Sequence, residues 1–486
     1  PPPPPPHHPT PQHSSAASDV YKRQIECPLA IDSSREIECG ILMVPEDRSQ
    51  EETPMIELHF AIIRSRNPDK QPDPVVGLQG GPGGRSLEMI DYWLYILDRT
   101  LVDRDVIVFD QRGVGNSQPS LNCPELEEPY YANFAQDLSS VEQDELFTQV
   151  LKTCRDRLAQ EGVNLSAYNS AESAADVEDL RRSLGYQEWN LYGSSYGTRL
   201  ALTVMRDFPQ GVRSVILDSI YPPHEDLFTS IAVDMQRALQ LLFERCAADA
   251  ECSQSYPNLE EVFFEVVHQV DQQPVTLGVY RPKDLEKYEV VINGDRLIRS
   301  VFDLLYYTED IQDLPKVIYQ ISQGDWDTFS RKIRFGQFMN DDFSEGLYNS
   351  VECVEEAPFG SPGDVIAANA AVEPRLSQAI NNTALYQDCA AWDVTPAEAV
   401  ENQAVVSDIP TLILSGEHDP ITPPAWGFSA VEHLSRAQHL VFPGVAHGVL
   451  GSSGCSNRVV DDFLSAPEQP VDTSCVAELS PLFGGD

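Results

Sequence analysis

The sequence of 486 residues lacks any apolar run that approaches the ~20 residues needed to cross a bilayer, so no membrane span is predicted. Basic residues are also scarce, because 33 lysines and arginines stand against 76 acidic residues, giving a formal net charge of −43. Nucleic acid is therefore excluded as a partner, since phosphate binding needs a positive surface. The acidic balance indicates a soluble chain with a self-repelling surface.

The usual cysteine spacings of metal sites are missing as well. No CxxC or CxxC…HxxxH pattern occurs, so no metal site is predicted. An even number of cysteines favours five disulfides in a secreted or periplasmic protein, although ten reduced thiols in the core are the alternative. The pairing does not follow from the sequence, and joining neighbours in order is the simplest arrangement. The ten residues are Cys27, Cys39, Cys123, Cys154, Cys246, Cys252, Cys353, Cys389, Cys455 and Cys475.

The first 24 residues lack hydrophobic periodicity and are rich in proline, histidine and serine. Such a composition cannot bury a core, so residues 1–24 are predicted to be a disordered tail or a cloning or assembly scar. The stretch has no apolar central region and is not a signal peptide. Export is therefore predicted from the cysteines alone.

Short apolar segments alternate with helical patterns along both ends of the chain. This rhythm predicts an α/β fold with a mostly parallel, doubly wound sheet covered on both faces. Residues 221–392 break the rhythm with a mainly helical pattern that is too long for a loop. We therefore predict a helical cap at 221–392, inserted into a catalytic core of 25–220 and 393–486. The predicted strands are two antiparallel strands within 39–64, then 74–78, 105–109, 189–192, 212–217, 410–415 and 438–442.

The pentapeptide Gly193-Ser194-Ser195-Tyr196-Gly197 has the pattern G-x-S-x-G between a predicted strand and a predicted helix. A turn of this kind forces the serine into a strained backbone and exposes its hydroxyl at the carboxyl end of the sheet, where larger flanking residues would collide with the strand and helix. The pattern predicts Ser195 as a nucleophile. Ser194 is the nearest rival, but it lies one position early and would point away from the cleft.

Acyl transfer also needs two backbone N–H groups for the oxygen of the tetrahedral intermediate. One is predicted from Tyr196, directly after the nucleophile. The glycine-rich turn at 80–84 is the natural source of the second, and we assign it to Gly81; a plain tight turn is the alternative. No lysine follows this turn at the spacing of a phosphate-binding loop.

The base and the acid are predicted from the last third of the chain. His447 follows the last predicted strand, where it can take the proton of Ser195. Asp419 follows the strand before it and is predicted to orient His447, with Glu417 and Asp218 as rivals. The chain order serine, aspartate, histidine is that of α/β-hydrolases, whose chemistry needs no metal or organic cofactor.

Five motifs together resemble the secreted tripeptidyl aminopeptidase and prolyl aminopeptidase group of the α/β-hydrolases. They are GGPGG, DQRGVGNS, GSSYGT, GEHDPITPP and PGVAHG, and the resemblance covers roughly residues 40–220 and 385–486. It implies the α/β-hydrolase fold and a serine exopeptidase that releases proline or short peptides from a free N-terminus through an acyl-enzyme.

Two positions depart from the prolyl branch of that group. Gln79 stands where prolyl aminopeptidases usually have histidine, and Tyr196 stands where they often have tryptophan. Both departures favour the tripeptidyl branch and leave the substrate open between proline, a tripeptide and a small ester. A carboxylic-ester hydrolase with the same three residues is the alternative, because fold and triad do not set the substrate.

An aminopeptidase must bind a charged amine, which calls for carboxylates that face the cleft. Glu352 and Glu355 flank Cys353 in the predicted cap, and we predict that they bind the amine. A solvated acidic surface is the alternative in so acidic a chain. The predicted partner is a peptide or a small ester, and the oligomeric state is left open.

Overall fold

The computed structural model describes residues 21–28, 35–281, 284–333, 343–480 and 482–483. Nine strands of this part of the chain form one sheet, and two more form a separate hairpin. The strands are β1 (Tyr21–Ile25), β2 (Ile37–Pro45), β3 (Met55–Ile63), β4 (Val75–Leu78), β5 (Val106–Phe109), β6 (Trp189–Ser194), β7 (Val212–Asp218), β8 (Val275–Tyr280), β9 (Lys287–Ile292), β10 (Thr411–Gly416) and β11 (Ala437–Phe442).

The strand order of the large sheet is β1-β2-β3-β5-β4-β6-β7-β10-β11. Strands β4 to β7, β10 and β11 run parallel, whereas β1, β2 and β3 pair antiparallel at one edge. Every residue of β4, β5 and β10 is buried, as expected for parallel strands with helices on both faces. The predicted sheet is therefore confirmed.

The helices are distributed on both sides of the insertion. Those of the two flanking parts are α1 (Ile90–Ile96), α2 (Glu127–Phe134), α3 (Ser140–Gln160), α4 (Ser170–Leu184) and α5 (Tyr196–Asp207), and, after the insertion, α17 (Pro424–Val431), α18 (Gly454–Ser465) and α19 (Ser474–Ala477). Between β7 and β10 lie α6 (Leu227–Ala248), α7 (Ala250–Ser255), α8 (Leu259–Gln272), α9 (Gly294–Leu305), α10 (Thr308–Ile311), α11 (Leu314–Ser322), α12 (Asp327–Lys332), α13 (Glu345–Glu355), α14 (Pro362–Ala368), α15 (Pro374–Ala379) and α16 (Ala384–Trp392).

Much of the apolar interior of residues 221–392, here called the inserted segment, lies in a cluster separate from the one around the sheet. It includes Phe243, Phe263, Val301 and Ile318, and the cluster around the sheet contains none of these four. The hairpin β8–β9 was not predicted, because the sequence showed few strand signals in this segment. The division into core and cap stays a prediction.

The N-terminal boundary of the fold differs from the prediction. Residues 1–20 lie outside the described residues, but β1 begins at Tyr21 and pairs antiparallel with β2. The predicted tail of 1–24 is therefore too long by four residues. Residues 21–24 form part of a strand because their backbone pairs with β2 at the edge of the sheet. This pairing needs no apolar pattern in their own sequence.

The ten cysteines pair as neighbours in the chain. The five disulfides are Cys27–Cys39, Cys123–Cys154, Cys246–Cys252, Cys353–Cys389 and Cys455–Cys475. The simplest arrangement open to the sequence is the one observed. Within the described ranges, none of the helices has the length and apolar character that a bilayer span requires.

Candidate active site

The turn between β6 and α5 consists of a single residue, Ser195, because β6 ends at Ser194 and α5 begins at Tyr196. Its φ of 56° and ψ of −125° are strained values for a residue with a side chain. A Cβ on Gly193 would collide with the carbonyl oxygen of Gly197, and a Cβ on Gly197 would collide with that of Leu78. The two glycines of the motif thus allow the sharp turn, as the sequence predicted.

The glycine-rich turn after β4 packs directly against Ser195. A Cβ on Gly80 would lie 2.9 Å from the Cβ of Ser195, so only glycine allows this approach. The next residue, Gly81, is exposed and has a φ of +119°. Tyr196 is the first residue of α5, where N–H groups have no partner within the helix. Of the two residues predicted to stabilise the oxyanion, Tyr196 therefore directly follows the serine, and Gly81 follows the glycine that packs against it.

His447 and Asp419 are in direct contact. The Nδ1 atom of His447 lies 2.9 Å from Oδ2 of Asp419, and the Asp419 side chain is fully buried. The other carboxylate oxygen accepts hydrogen bonds from the N–H groups of Ile421 and Thr422 at 3.0 and 2.9 Å. This turn after β10 therefore fixes the acid toward the imidazole.

The electrostatics of this pair suit a base and its orienting acid. Burial raises the pKa of Asp419, but the charge and hydrogen bond of His447 and the N–H bonds of Thr422 and Ile421 outweigh it, so the pKa lies below its ordinary value. Burial lowers the pKa of His447, but the charge and hydrogen bond of Asp419 leave it above the ordinary 6.5. The carboxylate is therefore ionised near neutral pH, beside the imidazole.

Of the two rival acids, Asp218 has a different set of partners. Its carboxylate accepts hydrogen bonds from the N–H groups of Val449 and Leu450 at 2.7 and 2.8 Å and from the Tyr192 hydroxyl at 2.8 Å. These contacts anchor the chain directly after His447 to the end of β7.

Ser195 and His447 meet this end of β7 from two directions. The N–H of Ser195 donates to the carbonyl oxygen of Asp218 at 2.9 Å. The N–H of Gly448, directly after His447, donates to the hydroxyl of Ser219 at 2.9 Å. Because both loops bond to consecutive residues of one strand end, the predicted nucleophile and base are at the same edge of the sheet.

One aromatic residue of the site was not predicted. The ring of Tyr306, directly after α9, lies 5.2 Å from the imidazole of His447 in an edge-to-face arrangement. Nothing near Tyr306 in the sequence marks it, because its contact with His447 joins residues far apart in the chain.

The predicted amine ligands are on α13, which reaches the site at its first turn. The N–H of Ser344, the residue before α13, donates to the carbonyl oxygen of Gly83 at 2.9 Å. Arg199, one turn after Ser195, donates to Glu355 at 3.0 Å and is ion-paired with Glu356. The helix is thus tied both to the glycine-rich turn and to the helix that follows the nucleophile.

The two predicted amine ligands differ in what they contact. Glu355 accepts hydrogen bonds from the hydroxyl and N–H of Ser170 in addition to Arg199, so its oxygens already have partners. Glu352 is 2% exposed, and neither carboxylate oxygen has a hydrogen-bond partner among the described residues. The hydroxyl of Tyr221 lies nearby without meeting hydrogen-bond geometry. Of the two, only Glu352 has oxygens left for a ligand.

Burial raises the pKa of Glu352 well above its ordinary value, and the nearby charge of Glu356 adds to this, while Arg199 opposes it in part. A buried carboxylate without a partner is energetically costly, and a bound cation removes that cost. Arg199 does not remove it, since its guanidinium is engaged by Glu355 and Glu356.

Comparison with known proteins agrees with this architecture. Residues 73–452 match the α/β hydrolase fold family. The serine protease Hip1 of Mycobacterium tuberculosis is 26% identical over 88% of this chain and 84% of its own length. Carboxylesterase B of the same organism is 24% identical over 91% of this chain and 86% of its own. The tripeptidyl aminopeptidase of Streptomyces lividans is 29% identical over 39% of this chain and 36% of its own.

The chain therefore belongs to the α/β-hydrolase family, and it is a serine hydrolase of that family. The mostly parallel sheet with its flanking helices agrees with the family match.

Proposed function

We propose that this protein is a serine exopeptidase that releases N-terminal proline or short peptides, as a tripeptidyl or prolyl aminopeptidase does. Ser195 attacks the carbonyl carbon of the scissile peptide bond while His447 takes its hydroxyl proton. The N–H groups of Gly81 and Tyr196 stabilise the oxyanion, and Asp419 stabilises the imidazolium. His447 then gives the proton to the leaving amine, and water hydrolyses the acyl-enzyme by the same steps.

The observation that carries an exopeptidase rather than a general hydrolase is the carboxylate of Glu352. It is buried on a helix tied to both the glycine-rich turn and α5, and its oxygens have no partner in the described part of the chain. A free N-terminal ammonium provides one positive charge and two N–H donors on proline or three on other residues, which match this carboxylate. Residues 221–392 would then form a cap that fixes how far the scissile bond lies from the N-terminus of the bound substrate.

A direct test compares free and N-acetylated forms of the same chromogenic prolyl and tripeptidyl substrates. The free amine is expected to give the lower KM, and Glu352→Gln is expected to raise KM for the free form by roughly tenfold or more, because a charged hydrogen bond is worth about 1.5–3 kcal/mol. KM for the acetylated form is expected to stay near the wild-type value.

Glu345→Gln provides a control on the same helix. Its side chain is partly exposed at the first turn of α13, and its replacement by the isosteric amide leaves Glu352 unchanged. If the wild type cleaves acetylated peptides as fast as free ones, the exopeptidase proposal is wrong.

A carboxylic-ester hydrolase is the second candidate, and the relative named carboxylesterase B favours it over nearly the full chain. Short-acyl nitrophenyl esters assayed beside the peptides distinguish the two functions. An ester hydrolase would show kcat/KM for the esters far above that for any free-amine peptide, and Glu352→Gln would change neither. We further propose export, because five disulfides persist in oxidising compartments.

A further inference from the structure

Helix α6 of the inserted segment contacts the turn that carries the predicted acid. Nη1 of Arg237 donates to the carbonyl oxygen of Glu417 at 3.0 Å, and Nη2 donates to the carbonyl oxygen of Asp419. One guanidinium therefore bonds to the main chain on both sides of His418. Arg245, about two turns further along α6, forms an ion pair with the Glu417 carboxylate.

Glu417, a rival acid in the sequence, extends this contact to the loop of the predicted base. One of its carboxylate oxygens bonds to Arg245, and the other accepts a hydrogen bond from the N–H of Gly444 at 3.0 Å. Gly444 lies in the short loop that leads from β11 to His447. Helix α6 is thus connected through two arginines to both loops whose side chains meet in the His447–Asp419 hydrogen bond.

We infer that Arg237 and Glu417 are positioning residues that hold the Asp419 turn and the His447 loop at the separation their hydrogen bond requires. This inference rests on the proposed catalytic triad. It makes α6 part of the catalytic machinery, although none of its side chains is assigned to the reacting atoms.

The middle of the turn explains why an external anchor is needed. His418 is fully buried, yet neither ring nitrogen has a hydrogen-bond partner among the described residues. The backbone N–H of His418 donates to the carbonyl oxygen of Val445. Its imidazole Nε2 lies 3.8 Å from Oε2 of Glu417, which is beyond hydrogen-bond distance. The carbonyl groups on either side of it point to Arg237, whose forked guanidinium can bind both at once.

The pKa of His447 reports whether this positioning has been lost. The titratable groups that face the imidazole are Asp419 from the β10 turn, Asp218 from the end of β7, and Tyr306 from the chain after α9. If the Asp419 turn relaxes, the contact that raises the pKa of His447 weakens, and the pKa falls. Loss of the Arg237 charge alone would raise the pKa of His447. The direction of the pKa change therefore distinguishes relaxation of the turn from loss of the charge.

The test is Arg237→Ala, with kcat measured on the best free-amine or ester substrate and the His447 pKa measured by NMR on histidine-labelled protein. The signal of His447 is assigned by its loss in His447→Gln. We expect kcat to fall about tenfold to a hundredfold, as small misplacements of catalytic groups do, and the His447 pKa to fall.

Arg206→Ala is the matched control. The side chain of Arg206 is 17% exposed, bonds to the carbonyl oxygen of Val400 and pairs with Asp207 and Glu401. Its substitution therefore removes a set of hydrogen bonds and ion pairs comparable to that removed by Arg237→Ala. It is expected to lower the melting temperature without changing kcat or the His447 pKa.

Arg237→Lys serves if the alanine variant does not fold, since lysine keeps the charge but lacks the fork. It is expected to give an intermediate kcat and an intermediate His447 pKa. Wild-type kcat and His447 pKa in a folded Arg237→Ala or Arg237→Lys protein would overturn the inference, even with a lower melting temperature. The NMR titration needs no turnover, so it tests the positioning role even if the proposed activity fails. Failure of the proposed activity would be seen separately, as turnover that survives Ser195→Ala.

Discussion

The carboxylate of Asp218 accepts a hydrogen bond from the N–H of Val449 at 2.7 Å, so the end of β7 holds the loop that carries His447. Asp218→Asn replaces one accepting oxygen with an NH₂ group that cannot accept. We expect the free energy of unfolding to fall by about 1–3 kcal/mol and kcat to fall with it. Urea unfolding and steady-state kinetics measure the two effects.

Asp393→Asn is the comparison for this substitution. Its side chain is 76% exposed and pairs with Arg155 at the surface, and such pairs contribute little. We expect the free energy of unfolding and kcat of the Asp393→Asn protein to stay at the wild-type values. An Asp218→Asn protein that matched it in stability and kcat would show that the loop is held by other contacts.

Ser195 and its neighbour Ser194 provide a matched pair at the proposed nucleophile. Ser195→Ala is expected to lower kcat by about 10⁴-fold or more, because both the attack and the acyl-enzyme are lost. Ser194→Ala is expected to keep kcat within a few-fold of wild type. Labelling with a fluorophosphonate probe, read by intact mass, checks the assignment independently, and modification of the Ser195→Ala protein would contradict it.

The pH dependence of kcat/KM follows from the pKa of His447. The imidazole must be neutral to take the proton of Ser195, so kcat/KM falls as the pH drops below its pKa in the free enzyme. Since Asp419 holds that pKa above 6.5, we expect the half-maximal point of the acid limb above pH 6.5. The profile is measured with a substrate whose amine is blocked, so that ionisation of the substrate does not contribute to it. An acid limb with its half-maximal point well below pH 6 would be inconsistent with the His447–Asp419 pair.

The disulfide Cys353–Cys389 joins α13, which carries Glu352, to α16 across 36 residues. Chain entropy predicts that Cys353→Ser with Cys389→Ser costs about 4 kcal/mol of unfolding free energy, and that loosening of α13 raises KM for free-amine peptides. The double variant at Cys246 and Cys252, which close only 6 residues, is expected to cost about 2 kcal/mol with KM unchanged.

Thermal or urea unfolding and KM on free and acetylated peptides measure both double variants. Equal changes in KM in the two proteins would indicate general loosening rather than an effect on Glu352.

The sequence alone determined the elements whose cause is local. The nucleophile turn depends on Gly193 and Gly197 beside Ser195, and the buried strands depend on continuous apolar runs, so pattern and spacing were sufficient for both. The helix α4 ends where Gly185 adopts a φ of 83°, a left-handed conformation that glycine adopts without strain.

Tertiary structure alone decided which of several equivalent side chains has which partner. Asp419, Asp218 and Glu417 each follow a strand, and Glu352 and Glu355 flank one cysteine, so local sequence treats the members of each set alike. Only the folded chain brings His447 to Asp419, Val449 to Asp218 and Gly444 to Glu417. In the same way Arg199 engages Glu355, while Glu352 has no hydrogen-bond partner among the described residues. The reason is physical: hydrogen bonds and ion pairs between residues far apart in the chain depend on distances that local periodicity does not encode.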